Sequence, residues 1–267
     1  MIHLASVEKR PSFPREERFP YNVPVIAQLE QVRFAAPVTI LVGENGSGKS
    51  TFLEAIATGV GLPTVGAEEA GRDPSLADVR QLSRHLRLGW KRKTGRGFYL
   101  RAEDFFGFAK RMAQMEAELQ AEMAGVDAEY AGRSEFAKGL AKMPYAGQLA
   151  AIKERYGEGL DGRSHGEAFL ALFQARFAPD GLYLLDEPEA PLSPLRQVGL
   201  LALLKEMVAL EAQFIIATHS PILMAYPGAT ILDFDRSPPQ AVAWDTLEHV
   251  SVTRGFLNDP ELYLNHL

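Results

Sequence analysis

The feature that most constrains the fold of this chain is the loop at residues 43–50, which has the pattern G-x-x-x-x-G-K-S. The apolar, β-branched run 37–42 before it predicts a buried strand, and residues 49–58 after it predict a helix. Glycines allow such a loop to curl until several backbone N–H groups face one anion, and the helix adds the positive end of its dipole. The strand–loop–helix unit therefore predicts an α/β fold with a phosphate-binding loop.

The residue types in this loop predict ATP and Mg²⁺ as its ligands. We expect Lys49 to reach the β- and γ-phosphates and the hydroxyl of Ser50 to bind Mg²⁺. The alternative is a chance match in a glycine-rich turn, and the flanking strand and helix argue against it. The candidate nucleotide-binding residues of the loop are Gly43, Glu44, Asn45, Gly46, Ser47, Gly48, Lys49, Ser50 and Thr51.

The rest of the core pattern is an alternation of strands and helices. Apolar runs predict buried strands at 182–186, 213–218 and 229–233, and residues 194–210 predict a helix between the first two. Strands and helices that alternate at this spacing indicate a mainly parallel central sheet with crossover helices on its faces.

Two regions depart from that alternation. Residues 2–7 and 25–34 predict strands of an N-terminal antiparallel β region. Residues 103–159 predict a helical insertion, whose segment 104–123 has the apolar spacing of an amphipathic helix. The predicted organisation is therefore an ATPase core formed by 1–102 and 160–267, with the insertion at 103–159.

An acid pair and a histidine follow two of the predicted strands. Asp186 ends the strand 182–186 and is a candidate Mg²⁺ ligand through water, and Glu187 is a candidate to polarise the attacking water. His219 lies 32 residues after Glu187 and is a candidate to contact the γ-phosphate or to orient the water. The predicted catalytic residues are Glu187, His219 and Lys49. The structural alternatives are an acidic turn and a histidine that only packs.

The ordered set of phosphate loop, acid pair and His219 resembles the ABC-type ATPase superfamily, and the segments 19–24, 42–51, 97–103 and 186–190 resemble those of an uncharacterised bacterial group of such ATPases. The nearer resemblance is to its RecF- and SMC-like branch and to uncharacterised bacterial ATPases of the AAA family. The resemblance spans most of the chain. It implies a P-loop NTPase fold, hydrolysis of ATP to ADP and phosphate, and a head-to-tail homodimer that forms when ATP binds.

The run Ser164-His165-Gly166-Glu167 resembles the signature motif of that superfamily and lies 22 residues before Asp186. In the family, the serine and glycine amides of this motif bind the γ-phosphate held by the opposite subunit. The resemblance implies the same role for Ser164 and Gly166, although His165 stands where the family usually has glycine. A serine N-cap followed by Glu167 is also a capping box, and that structural interpretation stays open.

Two further site assignments depend on position alone. Glu103 lies near the place where the family has a glutamine, which makes it a third candidate Mg²⁺ ligand beside Ser50 and Asp186. Candidates for contacting the adenine base are Arg10, Phe13 and Phe19, and the sequence does not choose among them.

A basic stretch runs from residue 80 to residue 101, with eight lysines and arginines and no acid. Helical spacing of Arg80, Arg84, Arg87 and Lys91 predicts one basic helix face. The stretch fits nucleic acid, an acidic protein partner or a solvated helix face. The candidate nucleic-acid contacts are Arg80, Arg84, Arg87, Lys91, Arg92 and Lys93.

Composition limits the remaining classes. A net charge of −6 excludes a uniformly basic coat protein, and the chain has no cysteine for disulfides or thiolate metal sites. No apolar run is long enough to span a bilayer, so we expect a cytoplasmic protein with no membrane insertion. The alternative functions are the nucleotide-binding subunit of a membrane transporter and a module that binds nucleotide without hydrolysis.

Overall fold

The computed structural model describes residues 1–65, 76–156 and 165–265, with no side-chain description at 102–106, 108–113, 153–156 and 165–168. Two compact units result, one formed by Met1–Asp104 with Phe177–Leu267 and the other by Phe105–Arg176. In the described ranges, no helix is both long enough and apolar enough to cross a membrane.

Strands and helices alternate along most of the chain. The strands are β1 (Leu4–Lys9), β2 (Gln31–Arg33), β3 (Val38–Val42), β4 (Leu86–Trp90), β5 (Gly97–Arg101), β6 (Leu182–Asp186), β7 (Gln213–Ala217), β8 (Thr230–Asp233) and β9 (Gln240–Val242). The helices are α1 (Pro24–Ala27), α2 (Lys49–Val60), α3 (Ala77–Arg84), α4 (Ala102–Glu129), α5 (Glu135–Tyr156), α6 (His165–Arg176), α7 (Pro194–Ala209), α8 (Pro221–Met224), α9 (Glu248–Asn258) and α10 (Pro260–Leu264).

The first unit is built around a six-stranded sheet in the order β5-β6-β7-β3-β8-β9. All neighbouring pairs are parallel except β8 and β9. Every residue of β3, β6 and β7 is buried, as expected for central strands covered on both faces. The predicted mainly parallel α/β sheet is thereby confirmed, and it brings the carboxyl ends of β6, β7 and β3 side by side.

A second, antiparallel sheet in the order β2-β1-β4 confirms the predicted N-terminal β region. The prediction of a strand over 25–34 is wrong in its first part, because Pro24–Ala27 forms a short helix with Val25 and Ile26 buried. Proline at the first helical position favours this turn. Only Gln31–Arg33 is a strand, and it pairs with β1.

The single basic helix face predicted from Arg80 to Lys91 is also wrong. Helix α3 ends at Arg84, and Arg87 lies on β4, which pairs with β1. The register of that pairing runs from Lys9 opposite Leu86 to Leu4 opposite Trp90, so the segment is a strand and not a helix. The basic residues are therefore distributed over a helix, a strand and the loop that follows.

One buried polar side chain links the two sheets of the first unit. Gln213 begins β7 and is fully buried. Its Oε1 accepts the N–H groups of His3 and Leu4 at 2.7 and 2.8 Å, and its Nε2 donates to the carbonyl of Leu4 at 2.9 Å. The amide thus holds the start of β1 against the parallel sheet.

The second unit is helical, as predicted for the insertion. In α6, Phe169 and Phe173 are buried and meet edge to face, with ring centroids 4.6 Å apart. Two of the apolar positions predicted for the amphipathic helix have described side chains. Of these, Leu119 is buried, as predicted, and Met115 is 44% exposed.

Candidate functional site

The loop at 43–50 joins the end of β3 to the start of α2. Gly43, Gly46 and Gly48 all have positive φ, at 144, 85 and 98°. A Cβ on Gly48 would lie only 2.6 and 2.7 Å from the side chains of Val25 and Val23. Glycine is therefore required at Gly48 both by the left-handed backbone and by close packing.

Lys49 lies inside the curl of this loop. The side chain is 5% exposed, and Nζ donates to the carbonyls of Gly43 and Glu44 at 2.6 and 2.9 Å. Burial lowers the pKa of Lys49, and the nearby carboxylates, Asp186 first among them, act against this shift. The loop thus encloses a cationic group that is held by two of its backbone carbonyls, and a positive charge inside such a loop is suited to an anion.

The end of β6 supplies a buried carboxylate to the same place. Asp186 is 7% exposed, and burial raises its pKa to about 6, against a hydrogen bond from Ser50 and the charge of Lys49. The hydroxyl of Tyr99 lies 3.5 Å from its Oδ2. Among the described residues, Oδ1 has no hydrogen-bond partner, so one oxygen beside Ser50 remains available for a ligand.

Glu187 and His219 face each other at the ends of β6 and β7. Glu187 has a left-handed φ of 51°, and its N–H donates to the carbonyl of Ala217 at 2.9 Å. Nε2 of His219 lies 3.8 Å from Oε1 of Glu187. Burial lowers the pKa of His219, and the charge of Lys49 adds to the shift, so the neutral imidazole is favoured.

A cleft of about 290 Å³ lies at the loop and at Glu187, and is lined by Phe19, Val23, Lys49, Ser50, Glu187 and other loop residues. Of the adenine candidates, Phe19 lies at this cleft and is half exposed, whereas Arg10 and Phe13 line another cavity with Lys9. The cleft therefore combines an aromatic ring, on which an adenine base can stack, with the Lys49 and Ser50 side chains, which are suited to phosphates.

Three predicted site residues are not tested by this geometry. Ser164 lies outside the described residues. Gly166 is in α6, and Glu103 is in the first turn of α4, but the description of the structure stops at the backbone for both positions.

Three residues that sequence reasoning missed also belong to the site. Oε1 of Glu189 accepts the N–H of His219 at 2.7 Å. Both carboxylate oxygens of Asp235 accept the N–H of Glu44, at 2.8 and 3.1 Å. Nε2 of His249 lies 3.4 Å from Nδ1 of His219. Glu189 lies in the acidic segment 186–190 after β6, which could have indicated it. Asp235 and His249 lie in no sequence motif that would have indicated them.

The strand order and the loop after β3 define a P-loop NTPase fold. A family model described as "AAA domain" matches residues 22–119. A second, described as "AAA domain, putative AbiEii toxin, Type IV TA system", matches residues 167–225. Both stretches of the chain thus match family models of AAA domains, which supports the ATPase superfamily assignment made from the sequence.

Solved structures similar to the chain include two ATP-binding cassettes. MJ1267, described as a cassette of an ABC transporter in its ADP conformation, is 16% identical, with 96% of this chain and 100% of that chain covered and a TM-score of 0.47. MJ0796, in a dimeric post-hydrolysis state bound to ADP and Pi, is 16% identical, with 91% and 99% covered and a TM-score of 0.43. No curated protein matches the chain.

Proposed function

We propose that the protein binds Mg·ATP in the loop at 43–50 and hydrolyses it to ADP and phosphate. The observation that supports this most is the convergence of Lys49, Asp186, Glu187 and His219, which come from the ends of three adjacent parallel strands. A buried cation, a buried carboxylate and an exposed glutamate beside a histidine are the groups that phosphoryl transfer to water requires.

The residues present fit Mg²⁺. Asp186 and Ser50 offer a carboxylate and a hydroxyl oxygen in contact with each other, and oxygen ligands are what Mg²⁺ prefers. No group of three His, Asp or Glu side chains in the described residues could hold a metal alone, so water and phosphate oxygens would complete its coordination. When bound, the ion would neutralise charge on the phosphates.

Glu187 and His219 are the proposed catalytic pair. Glu187 is 45% exposed at the cleft, where its carboxylate can accept a proton of the attacking water. Its backbone is fixed by the bond to Ala217, so the side chain projects from a rigid strand end. The lowered pKa of His219 favours the neutral ring, and its buried Nε2, which faces Glu187 and has no hydrogen-bond partner among the described residues, can donate to the water or to a phosphate oxygen.

We further propose that ATP joins two copies head to tail, with Ser164 and Gly166 of one copy binding the γ-phosphate held by the other, as in the RecF- and SMC-like branch. Hydrolysis would weaken this interface. Bound ATP would therefore favour the closed dimer, and the loss of ATP would favour separated copies. Glu103 is kept as a proposed third Mg²⁺ contact. The expected cytoplasmic location stays a prediction, which cell fractionation tests.

The Glu187→Gln variant tests the proposed activity and assembly together. We expect turnover to fall by roughly 100-fold or more, since general base catalysis contributes that much, while Mg·ATP binding persists and a dimer accumulates. Phosphate release and light scattering with and without ATP are the measurements. Glu206→Gln, an exposed change on α7, is the matched control and should behave as wild type. A wild-type protein that releases no phosphate rules out hydrolysis, and a monomeric Glu187→Gln with saturating ATP rules out the dimer.

Nucleic acid is a second candidate partner, and exposed basic residues support it. Arg84, Arg87, Lys91 and Lys93 are exposed, whereas Arg92 is already paired with Asp180 and Glu211. Binding through such a surface should weaken steeply with salt. ATP turnover measured with DNA, RNA or membrane extract separates this role from the transporter alternative, because stimulation by one additive would select one role.

A further inference from the structure

A second histidine contacts His219 at Nδ1, the ring nitrogen that does not face Glu187. Nε2 of His249 lies 3.4 Å from Nδ1 of His219, and the two ring centroids are 5.5 Å apart. Both nitrogens belong to half-buried side chains, and one proton must lie between them if the contact is a hydrogen bond. The partner of Nδ1 therefore influences which nitrogen of His219 carries its proton.

His249 is held in this place by its own segment. It lies in the first turn of α9, between the buried side chains of Leu247 and Val250. Before this helix, the ring of Trp244 donates from Nε1 to the carbonyl of Pro221, two residues after His219, at 3.2 Å. The guanidinium of Arg254, also on α9, lies 5.1 Å from the Trp244 ring. The position of His249 is therefore fixed relative to the loop that carries His219.

The two nitrogens of His219 have different surroundings. Nε2 lies 3.8 Å from the carboxylate of Glu187 and, in the described part of the chain, has no hydrogen-bond partner. A carboxylate favours a proton on the nitrogen that faces it, because an N–H is attracted to the negative oxygen and a bare nitrogen is repelled. With the proton on Nε2, Nδ1 is left as an acceptor, and His249 must be the donor.

We propose that His249 is a positioning residue that donates its Nε2–H to Nδ1 of His219 and so keeps the proton of His219 on Nε2. The inference rests on the proposed function, because an Nε2–H donor at this edge matters when a γ-phosphate lies there. In the opposite tautomer, Nδ1 of His219 would donate to His249, and Nε2 would present a lone pair to an anionic phosphate. His249 thus determines that His219 donates to the phosphate, although His249 itself does not contact the substrate.

The test starts with the wild-type protein and needs no nucleotide. The ¹⁵N shifts of histidine rings, read by long-range ¹H–¹⁵N correlation, distinguish protonated from unprotonated nitrogens, and His219→Gln assigns the signals among the six histidines. We expect His219 to carry its proton on Nε2. A proton mainly on Nδ1 would overturn the proposal directly.

Variants of His249 then test the link to turnover. His249→Phe keeps a ring but cannot donate, so we expect a mixture of His219 tautomers and a kcat lower by about tenfold, the value of one hydrogen bond, with the KM for ATP little changed. His249→Gln restores a donor and should recover most of both. Val252→Ala, on the exposed face of the same helix, is the control for general disturbance of α9.

The outcomes separate this proposal from the proposed function. If His249→Phe leaves the His219 tautomer as in wild type, the positioning role is wrong even if ATP is hydrolysed. If the wild-type tautomer is Nε2–H and shifts in His249→Phe while no variant hydrolyses ATP, the positioning stands and the proposed hydrolysis fails. Melting temperatures recorded for each variant show whether a loss of kcat reflects unfolding, and the wild-type spectrum decides the case if His249→Phe does not fold.

Discussion

The carboxylate of Asp235 holds the backbone N–H of Glu44 with both of its oxygens, at 2.8 and 3.1 Å. Asp235 follows β8, and Glu44 is the second residue of the loop at 43–50, so a neighbouring strand end fixes the first turn of the loop. A Cβ on Gly43 would lie 3.0 Å from Oδ1 of Asp235, which shows how closely the two segments approach. This contact satisfies one loop amide within the protein, and a second, the N–H of Ser47, donates to the carbonyl of Glu44 at 3.2 Å.

We predict that Asp235→Ala weakens Mg·ATP binding by about tenfold, because the loop loses one charge-assisted hydrogen bond that organises it. Asp235→Asn should bind as tightly as wild type or more tightly, since it keeps an acceptor and removes a negative charge beside the phosphates. Calorimetric titration measures both. Arg236→Ala, in the same turn but paired with Asp233, is the control. Equal affinities of Asp235→Ala and wild type would contradict the positioning of the loop by Asp235.

Lys49→Ala should remove tight nucleotide binding without unfolding the protein. In the nucleotide-free protein, the described hydrogen bonds of Nζ go to atoms of the loop. Burial disfavours the charged form and lowers the pKa of Lys49, so the charge contributes little to the stability of the fold. Bound ATP would lose two charge-assisted bonds, or about 100-fold in affinity. Titration with Mg·ATP measures the affinity, and thermal melting measures the stability. The exposed Lys205→Ala is the control for both. A variant that binds ATP as wild type does would show that Lys49 is not a phosphate contact.

Asp186 gives the site a pH dependence whose sign follows from its pKa. Burial raises that pKa from 3.8 to about 6, so the folded, nucleotide-free protein binds more protons than the unfolded chain between these values. The group therefore contributes stability that is fully present below pH 3.8 and is lost as the pH rises through about 6. Relative to Asp186→Asn, the nucleotide-free wild type should become more stable as the pH falls from 7 to 5.

The same titration should oppose the metal. A proton on Asp186 must leave before Mg²⁺ can bind, so the affinity for Mg·ATP should decrease as the pH falls below 6. Asp186→Asn should bind Mg·ATP weakly at every pH and show less of this decrease. Urea denaturation and calorimetry between pH 5 and 8 provide the data, read as differences between the two proteins. An affinity in wild type that does not change over this range would exclude Asp186 as a metal contact.

Local patterns were sufficient to predict the parallel sheet and the loop between β3 and α2, and the binding of phosphate by that loop stays a prediction. β3, β6 and β7 are buried over their whole length and are mostly apolar, with Thr39, Asp186 and Gln213 as their polar members. Parallel strands place all their carboxyl ends at one edge, which is why loop, acid pair and His219 could be expected together from spacing alone.

What could not be predicted depends on contacts between distant segments. Asp235 and Glu44 are 191 residues apart, and His219 and His249 are 30 apart on different elements, so no periodicity marks either pair. β4 was mistaken for the continuation of a basic helix because Arg84 and Arg87 are three residues apart, a spacing that a helix face also gives. Only its pairing with β1 decides between the two structures.

The buried amide of Gln213 carries the last prediction, which concerns stability rather than activity. Gln213→Leu would leave the N–H groups of His3 and Leu4 and the carbonyl of Leu4 without their partner, and the cost is about 3 kcal/mol of unfolding free energy. Gln213→Glu should also destabilise, because a carboxylate cannot donate to the Leu4 carbonyl and would be buried as a charge. Gln81→Leu, exposed on α3, is the matched control. Urea denaturation measures all three, and a cost below about 1 kcal/mol for Gln213→Leu, the value of one ordinary hydrogen bond, would mean that β1 does not depend on this amide.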